Sequence, residues 1–232
     1  VDARGYFARA KLVEKYQLGG ISEWEIGYGD NFAIEEVKKV AIAMGQDKVV
    51  GEVVASSDNL IYGESATFNG KFNLVDGRPV TNAPVFIEIK RPSGNTRKPI
   101  AQTGLDGSFQ AKVLLGESSS ISFTIDETRE RTLGLTSEKS IGVSRLISWK
   151  LPASMKQGVS YKISGEIQPR VAGVKVILDD GNINLATTSL VDGRFEFEFK
   201  PTKIGVKQFR IITESESGFI GSTSAFASVL VR

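Results

Sequence analysis

Tyr62-Gly-Glu-Ser-Ala-Thr-Phe-Asn-Gly-Lys-Phe72 returns in outline as Gln157-Gly-Val-Ser-Tyr-Lys-Ile-Ser-Gly-Glu-Ile167. Gly63 falls on Gly158 and Gly70 on Gly165, an offset of 95 residues both times (158 − 63, 165 − 70). Further along, Gly104-Leu-Asp-Gly-Ser-Phe109 matches Leu190-Val-Asp-Gly-Arg-Phe195, and Phe123 is expected to lie on Phe209, both at an offset of 86 (195 − 109, 209 − 123). The difference implies a nine-residue insertion in the first copy (95 − 86), between its second strand and its Asp-Gly turn. A repeat near ninety residues indicates tandem domains, because one unit of a solenoid is much shorter.

Composition narrows the function. The 232 residues are 41% hydrophobic and 24% charged, as in an ordinary globular chain. A net charge of +2, with bases dispersed among acids, gives no electrostatic case for nucleic acid. No apolar run approaches the roughly 18 residues of a membrane span. Cys and His are both absent, which removes the usual zinc, haem and copper ligands and excludes Ser-His and Cys-His catalysis. No cofactor or metal is therefore expected. Val1 is not a natural start, so a processed or excised segment is expected.

From Lys48 onward, short segments alternate apolar and polar residues. Ala66–Phe72, Val85–Lys90 and Ile121–Ile125 do so in the first copy, and Tyr161–Ile167, Val174–Leu178, Phe195–Phe199 and Phe209–Ile212 in the second. Alternation at period two places one side chain in the core and the next in water, the habit of antiparallel sheets with one wet face. Asp76-Gly77, Asp106-Gly107, Asp180-Gly181 and Asp192-Gly193 supply the turns. Phe109, Phe195, Phe197 and Phe209 are expected in the cores. The pattern predicts a mainly β chain with two tandem seven-stranded immunoglobulin-like β-sandwiches, at 47–145 and 146–232. The join at Ser144–Pro152 has no Gly or Ser tract, so the sandwiches are expected to abut with limited play. Trp149 reads as a first-strand core residue of the second sandwich.

The paired glycines and the Asp-Gly-x-Phe turns at Asp106–Phe109 and Asp192–Phe195 resemble bacterial immunoglobulin-like repeats, modules appended to secreted enzymes and surface adhesins. The Cys pair and core Trp of antibody domains are missing, so the likeness is one of architecture.

Residues 1–46 read as a helix-strand-helix leader. Asp2 caps a helix through Tyr16 whose apolar face holds Tyr6, Phe7, Ala10, Val13 and Leu12 or Tyr16. Ile21–Ile26 is strand-like, and Asn31 caps a second helix that ends at Gly45. One strand between two helices cannot bury a sheet face alone, so the leader needs a covering surface. Tyr6–Tyr16 followed by Leu18-Gly-Gly-Ile-Ser-Glu-Trp-Glu-Ile-Gly-Tyr28 resembles the C-terminal end of a glycoside hydrolase family 18 (chitinase-like) TIM barrel. The resemblance implies that Trp24 is a substrate-binding residue at the floor of the sugar subsite. It also implies a DxxDxDxE acid signature, which this chain lacks. Glu23 and Glu25 flank Trp24, but a lone strand cannot hold a sugar between them, so the chain alone is expected to be inactive.

Asp180, Asn182 and Asn184 are spaced like half of a calcium loop, without its closing Glu, and read as a polar hairpin turn. Lys90–Lys98 is a basic loop, and Tyr62, Phe86, Trp149 and Phe219 are the few aromatics available as a sugar platform. The function expected is the non-catalytic C-terminal region of a secreted family 18-like protein, its sandwiches acting as spacers or as accessory contacts to polysaccharide (a chitin-like or cell-wall glycan). The leader would be covered by an upstream barrel or a second copy. The alternative is a bacterial surface or adhesion protein without an enzymatic parent. Either way the location expected is secreted or cell surface.

Overall fold

The computed structural model describes residues 3–16, 18, 35, 45–216 and 218–232. Helix α1 (Ala3–Tyr16) forms where the sequence places it. Its buried face is narrower than expected: Ala10 and Val13 are covered, whereas Phe7, Leu12 and Tyr16 are exposed. Lys11 and Lys15 lie over the rings of Phe7 and Tyr16, at 5.8 and 5.3 Å from their centroids. The strand expected at 21–26, Trp24, and the helix after Asn31 apart from Glu35 and Gly45 lie outside the described residues.

Residues 49–144 form the first sandwich. Its strands are β1 (Val49–Ala55), β2 (Asn59–Ile61), β3 (Ser65–Leu74), β4 (Pro84–Lys90), β5 (Thr96–Gln102), β6 (Ser108–Leu114), β7 (Ser119–Ile125), β8 (Gly134–Leu135) and β9 (Lys139–Ser144). One sheet runs β1-β3-β6; the other runs β2-β9-β7-β4-β5, with β8 on β7. The second sandwich repeats this element for element with β10 (Leu146–Lys150), β11 (Ser154–Met155), β12 (Tyr161–Gln168), β13 (Lys175–Asp179), β14 (Asn184–Ser189), β15 (Arg194–Phe199), β16 (Gly205–Thr213), β17 (Ser222–Thr223) and β18 (Ala227–Val231). Its sheets run β10-β12-β15 and β11-β18-β16-β13-β14, with β17 on β16. The seven strands expected per copy become nine. The opening strand breaks and crosses between sheets, its second piece pairing parallel with the last strand, and a two-residue strand is added.

Both interiors are aromatic and aliphatic. Phe68, Phe72, Phe109 and Phe123 cluster in the first core with neighbouring ring centroids 5.0–5.5 Å apart, Phe72 and Phe109 stacked and the other pairs tilted. In the second, Phe195 meets Phe197 at 5.6 Å and Phe199 meets Phe209 at 5.0 Å. Phe109, Phe195, Phe197 and Phe209 are buried as expected. Trp149 packs half-buried against the second core.

The register explains the repeated glycines. Gly70 on β3 lies opposite Phe109 on β6, and Gly165 on β12 lies opposite Phe195 on β15. In each copy the phenyl ring lies across the glycine, where a Cβ would collide with the ring and with a carbonyl of the first strand, Glu52 or Ser148. Only hydrogen leaves the ring room.

One expected correspondence fails. Thr136 donates its N–H to the Phe123 carbonyl, and its hydroxyl accepts the Phe123 N–H, at 3.0 Å each. Ser224 does the same for Ile211, at 2.9 Å each. Phe123 therefore corresponds to Ile211, not to Phe209, at an offset of 88 (211 − 123). The aromatic residue has moved two places along the strand, which keeps it on the core face. The insertion is also dispersed. Val85 and Val176 hold the same ladder position, each opposite the last residue of its partner strand's core run (Ile125, Thr213), so four residues enter before β4 and the rest between β4 and β6.

Candidate functional site at the joint between the sandwiches

Candidate residues read from the sequence are mostly tied up in local structure. Asp180 Oδ1 accepts the N–H groups of Asn182 and Ile183 at 3.0 Å, closing the β13–β14 hairpin. Those two bonds, that of Ile183 the larger cause, hold its carboxyl below the ordinary carboxylate range. Asp179, buried beside it, accepts from Gly181 and from Arg210 Nε at 2.6 Å. The segment is a hairpin turn, and among the described residues no three His, Cys, Asp or Glu side chains gather as metal ligands. In the basic loop Arg91 bonds Thr96, Lys90 pairs with Glu138 at 3.1 Å, and Arg97 pairs with Asp126 while covering the Phe86 ring at 4.0 Å. Tyr62 and Phe219 lie 6.5 Å apart in a tilted pair and pack, half-buried, on the first core.

The residues the sequence left unexplained meet at the joint. Strand β9 ends at Ser144 and β10 begins at Leu146, so Arg145 alone links the sandwiches. A linker of one residue usually exposes a long cationic side chain. Here the Arg145 side chain is 4% exposed. Its Nη2 donates to Glu216 Oε2 at 3.0 Å, and its guanidinium lies 4.2 Å above the Phe219 ring. Nε and Nη1 are buried without a hydrogen-bond partner among the described residues, so Glu216 and the ring face are its electrostatic support.

Glu216 and Phe219 belong to the loop between β16 and β17, which turns back on itself through paired backbone bonds of 3.0 Å. From the second sandwich this loop plugs into the end of the first. Gly218 accepts the Ser118 N–H at 2.7 Å, and Ile220 donates its N–H to Val143 at 3.0 Å. Phe219 completes the first core, and Ile220 lies against Gly142. Gly218 has φ +83°, and a Cβ there would meet Glu117 of the first sandwich at 2.8 Å, so this loop position admits glycine alone without strain. The Arg145 N–H closes the joint on Ser222 Oγ at 2.6 Å. Beside it runs a groove of about 580 Å³ lined by Ile61, Leu146, Trp149 and Phe226.

No sequence signal marks Arg145. Its burial depends on Glu216 and Phe219, more than 70 residues away, and Phe219 was readable only as a possible platform. Sequence reasoning expected the sandwiches to abut but did not foresee which residues meet there.

No protein-family model matches the chain, and no curated protein matches it. Solved structures similar to it include the adhesin InvE of Yersinia pseudotuberculosis, at 15% identity and a TM-score of 0.35, covering 78% of this chain and 58% of that one. A DUF4785 family protein of Legionella pneumophila gives 12% identity and a TM-score of 0.40, covering 77% and 56%. The native conformation of Escherichia coli alpha-2-macroglobulin gives 9% and 0.34, covering 79% and 17%. The chain thus spans well under two thirds of the length of each. No helix among the described residues is long and apolar enough to cross a membrane.

Proposed function

We propose that this chain is a stiff pair of immunoglobulin-like modules that spaces and presents neighbouring parts of a bacterial surface or adhesion protein. The observation that carries this reading is the joint: a one-residue link whose side chain is buried, and a loop of one sandwich completing the core of the other. Two domains tied by a flexible linker would sample many relative orientations; shared core residues remove that freedom. A rod of fixed length transmits position, which is the use of such modules outside a cell. Secretion or surface display follows from this role as part of the proposal. The joint requires no barrel, so a family 18 parent, with Trp24 as its sugar-binding remnant, is the weaker reading. It stands or falls on whether the sequence upstream of residue 1 carries a DxxDxDxE strand.

The chain has no Cys, so two introduced cysteines label uniquely. Lys112→Cys and Thr187→Cys, both exposed, place one spin label on each sandwich. Dipolar spectroscopy should return one narrow distance distribution, and Phe219→Ala combined with Glu216→Ala should widen it several-fold. A broad distribution in the otherwise native chain would sink the spacer reading. A second reading, contact with polysaccharide or cell-wall glycan, is favoured by the joint groove, where Phe226, with Arg210 over one ring face at 5.0 Å, is 47% exposed beside half-buried Trp149. It predicts that Phe226→Ala lowers retention on chitin or isolated cell wall; unchanged retention removes it.

A further inference from the structure

Both sandwiches grip the segment that precedes them in the same way. Thr132 donates its N–H to the Asp47 carbonyl at 3.0 Å, as Ile220 donates to Val143 at 3.0 Å. Thr132 and Ile220 stand 88 residues apart (220 − 132), the same offset as Thr136 and Ser224. Asp47 and Val143 stand 96 apart (143 − 47), as do Val53 and Trp149, which lie opposite the paired glycines. This hydrogen bond of the joint therefore recurs at the start of the first sandwich, and the far end of the second sandwich is the counterpart of the end that receives the loop in the first.

The receiving end of the first sandwich is built small. Ser118 and Gly142 lie beneath Gly218 and Ile220. At the offset of 88, their counterparts in the second sandwich are Val206 and Leu230. These two sit directly opposite each other on β16 and β18. Val206 is 68% exposed and Leu230 43%, and Ile204, two residues before Val206, is 67% exposed. An exposed aliphatic pair facing across two strands, with a third aliphatic residue just before one of them, marks an interaction surface more often than a solvated one. The inward neighbours Val229 and Val231 supply the core at this end, so the outward pair is not needed there.

We propose that Val206, Leu230 and Ile204 form the receiving face for a further sandwich unit joined in tandem after Arg232. The inference rests on the spacer reading and extends it. Continuity with the first joint argues for this occupant, because the same two positions of the first sandwich are the ones covered by the second. The fit is inverted. A Cβ at Gly142 would stand 3.1 Å from the Ile220 side chain, so the larger Leu230 side chain crowds a loop carrying Ile in that place. The incoming loop must carry a small residue there, as the first sandwich does with Thr132. Large-into-small at one joint and small-onto-large at the next fixes the order of the units, a repulsive device for specificity.

The test appends a second copy of 145–232 after Arg232 of the full chain, once as it stands and once with Ile220→Gly in the appended copy. Thr187→Cys in the second unit and in the appended copy reports their distance. The Ile220→Gly chain should give a narrow distribution and the unaltered copy a broad one. Adding Val206→Ser and Leu230→Ser to the second unit should broaden the narrow case. Slow exchange of the Phe209 amide in both units confirms that each has folded. Broad distributions in both chains, or equally narrow ones, overturn the proposal. The Lys112–Thr187 distance is read separately: if it stays narrow the spacer reading survives, and if it too is broad that reading has failed first.

Discussion

Arg145 and Glu216 are unequal partners, and the inequality makes a testable asymmetry. The arginine side chain is 4% exposed and the glutamate 40%. Removing the carboxylate leaves a guanidinium buried with only a ring face beside it, whereas removing the guanidinium leaves a carboxylate that water reaches. Glu216→Ala should therefore cost about 2–4 kcal/mol, while Arg145→Met, which keeps the stem over Phe219, should cost under ~1 kcal/mol. Chemical denaturation of the two variants decides it; equal losses would mean that the pair acts as an exposed ion pair after all. A second residue-scale expectation concerns Gly165, whose added Cβ meets the Phe195 ring and the Ser148 carbonyl. Gly165→Ala should destabilise by about 1–3 kcal/mol although alanine is a better strand former. A neutral result would show that the Phe195 ring is free to move aside. The glycine pair was legible in the sequence because it recurs at one offset in both copies, whereas its facing phenylalanine emerged only from the register. Arg145 was not legible, because its environment is assembled from a loop more than 70 residues later in the chain.

At the scale of elements, the Asp-Gly turns were the clearest signal in the sequence, and their chemistry is now specific. Asp76 accepts from the Arg78 backbone and side chain, and Asp106 from the Ser108 hydroxyl and backbone. Together with the Asp180 bonds, these hold three carboxyls below their ordinary values. A depressed folded pKa stabilises fully above the unfolded value, near 3.9, and the stabilisation disappears as pH falls through the folded value. The three turns should thus weaken only below about pH 4, and Asp76→Asn, Asp106→Asn and Asp180→Asn together should flatten the acid limb of the stability profile by lowering stability at pH 7 towards its acid value. The denaturation midpoint against pH is the readout, and an unchanged acid limb would refute the assignment. Strands and turns were legible because period two and Asp-Gly are local. The register of the last strands was not: aligning Phe123 with Phe209 follows residue identity. The true pairing is set by the hydroxyls of Thr136 and Ser224, each bonded across to a strand 13 residues earlier.

For the whole molecule, the joint implies that the two sandwiches do not unfold as strangers. Phe219 belongs in sequence to the second sandwich and in space to the first core, where it packs with Tyr62. Phe219→Ala leaves every strand of the second sandwich its own partners, since the loop lies outside its core. It opens a gap at the end of the first. The expected result is a loss of about 1–3 kcal/mol that falls on the first sandwich, less than a fully buried Phe would give because this ring is only partly covered. Native-state hydrogen exchange separates the possibilities residue by residue. The amides of Ile121 and Phe123 on β7, 98 and 96 residues before the substitution (219 − 121, 219 − 123), should exchange faster. Those of Ile163 and Phe197, in the sandwich that carries the change, should keep their protection. Were the losses reversed, the loop would be a local ornament of the second sandwich and the pair would not behave as a rod. With the expected pattern, stability crosses a one-residue link, and the length of the chain between its outer ends is fixed by packed side chains.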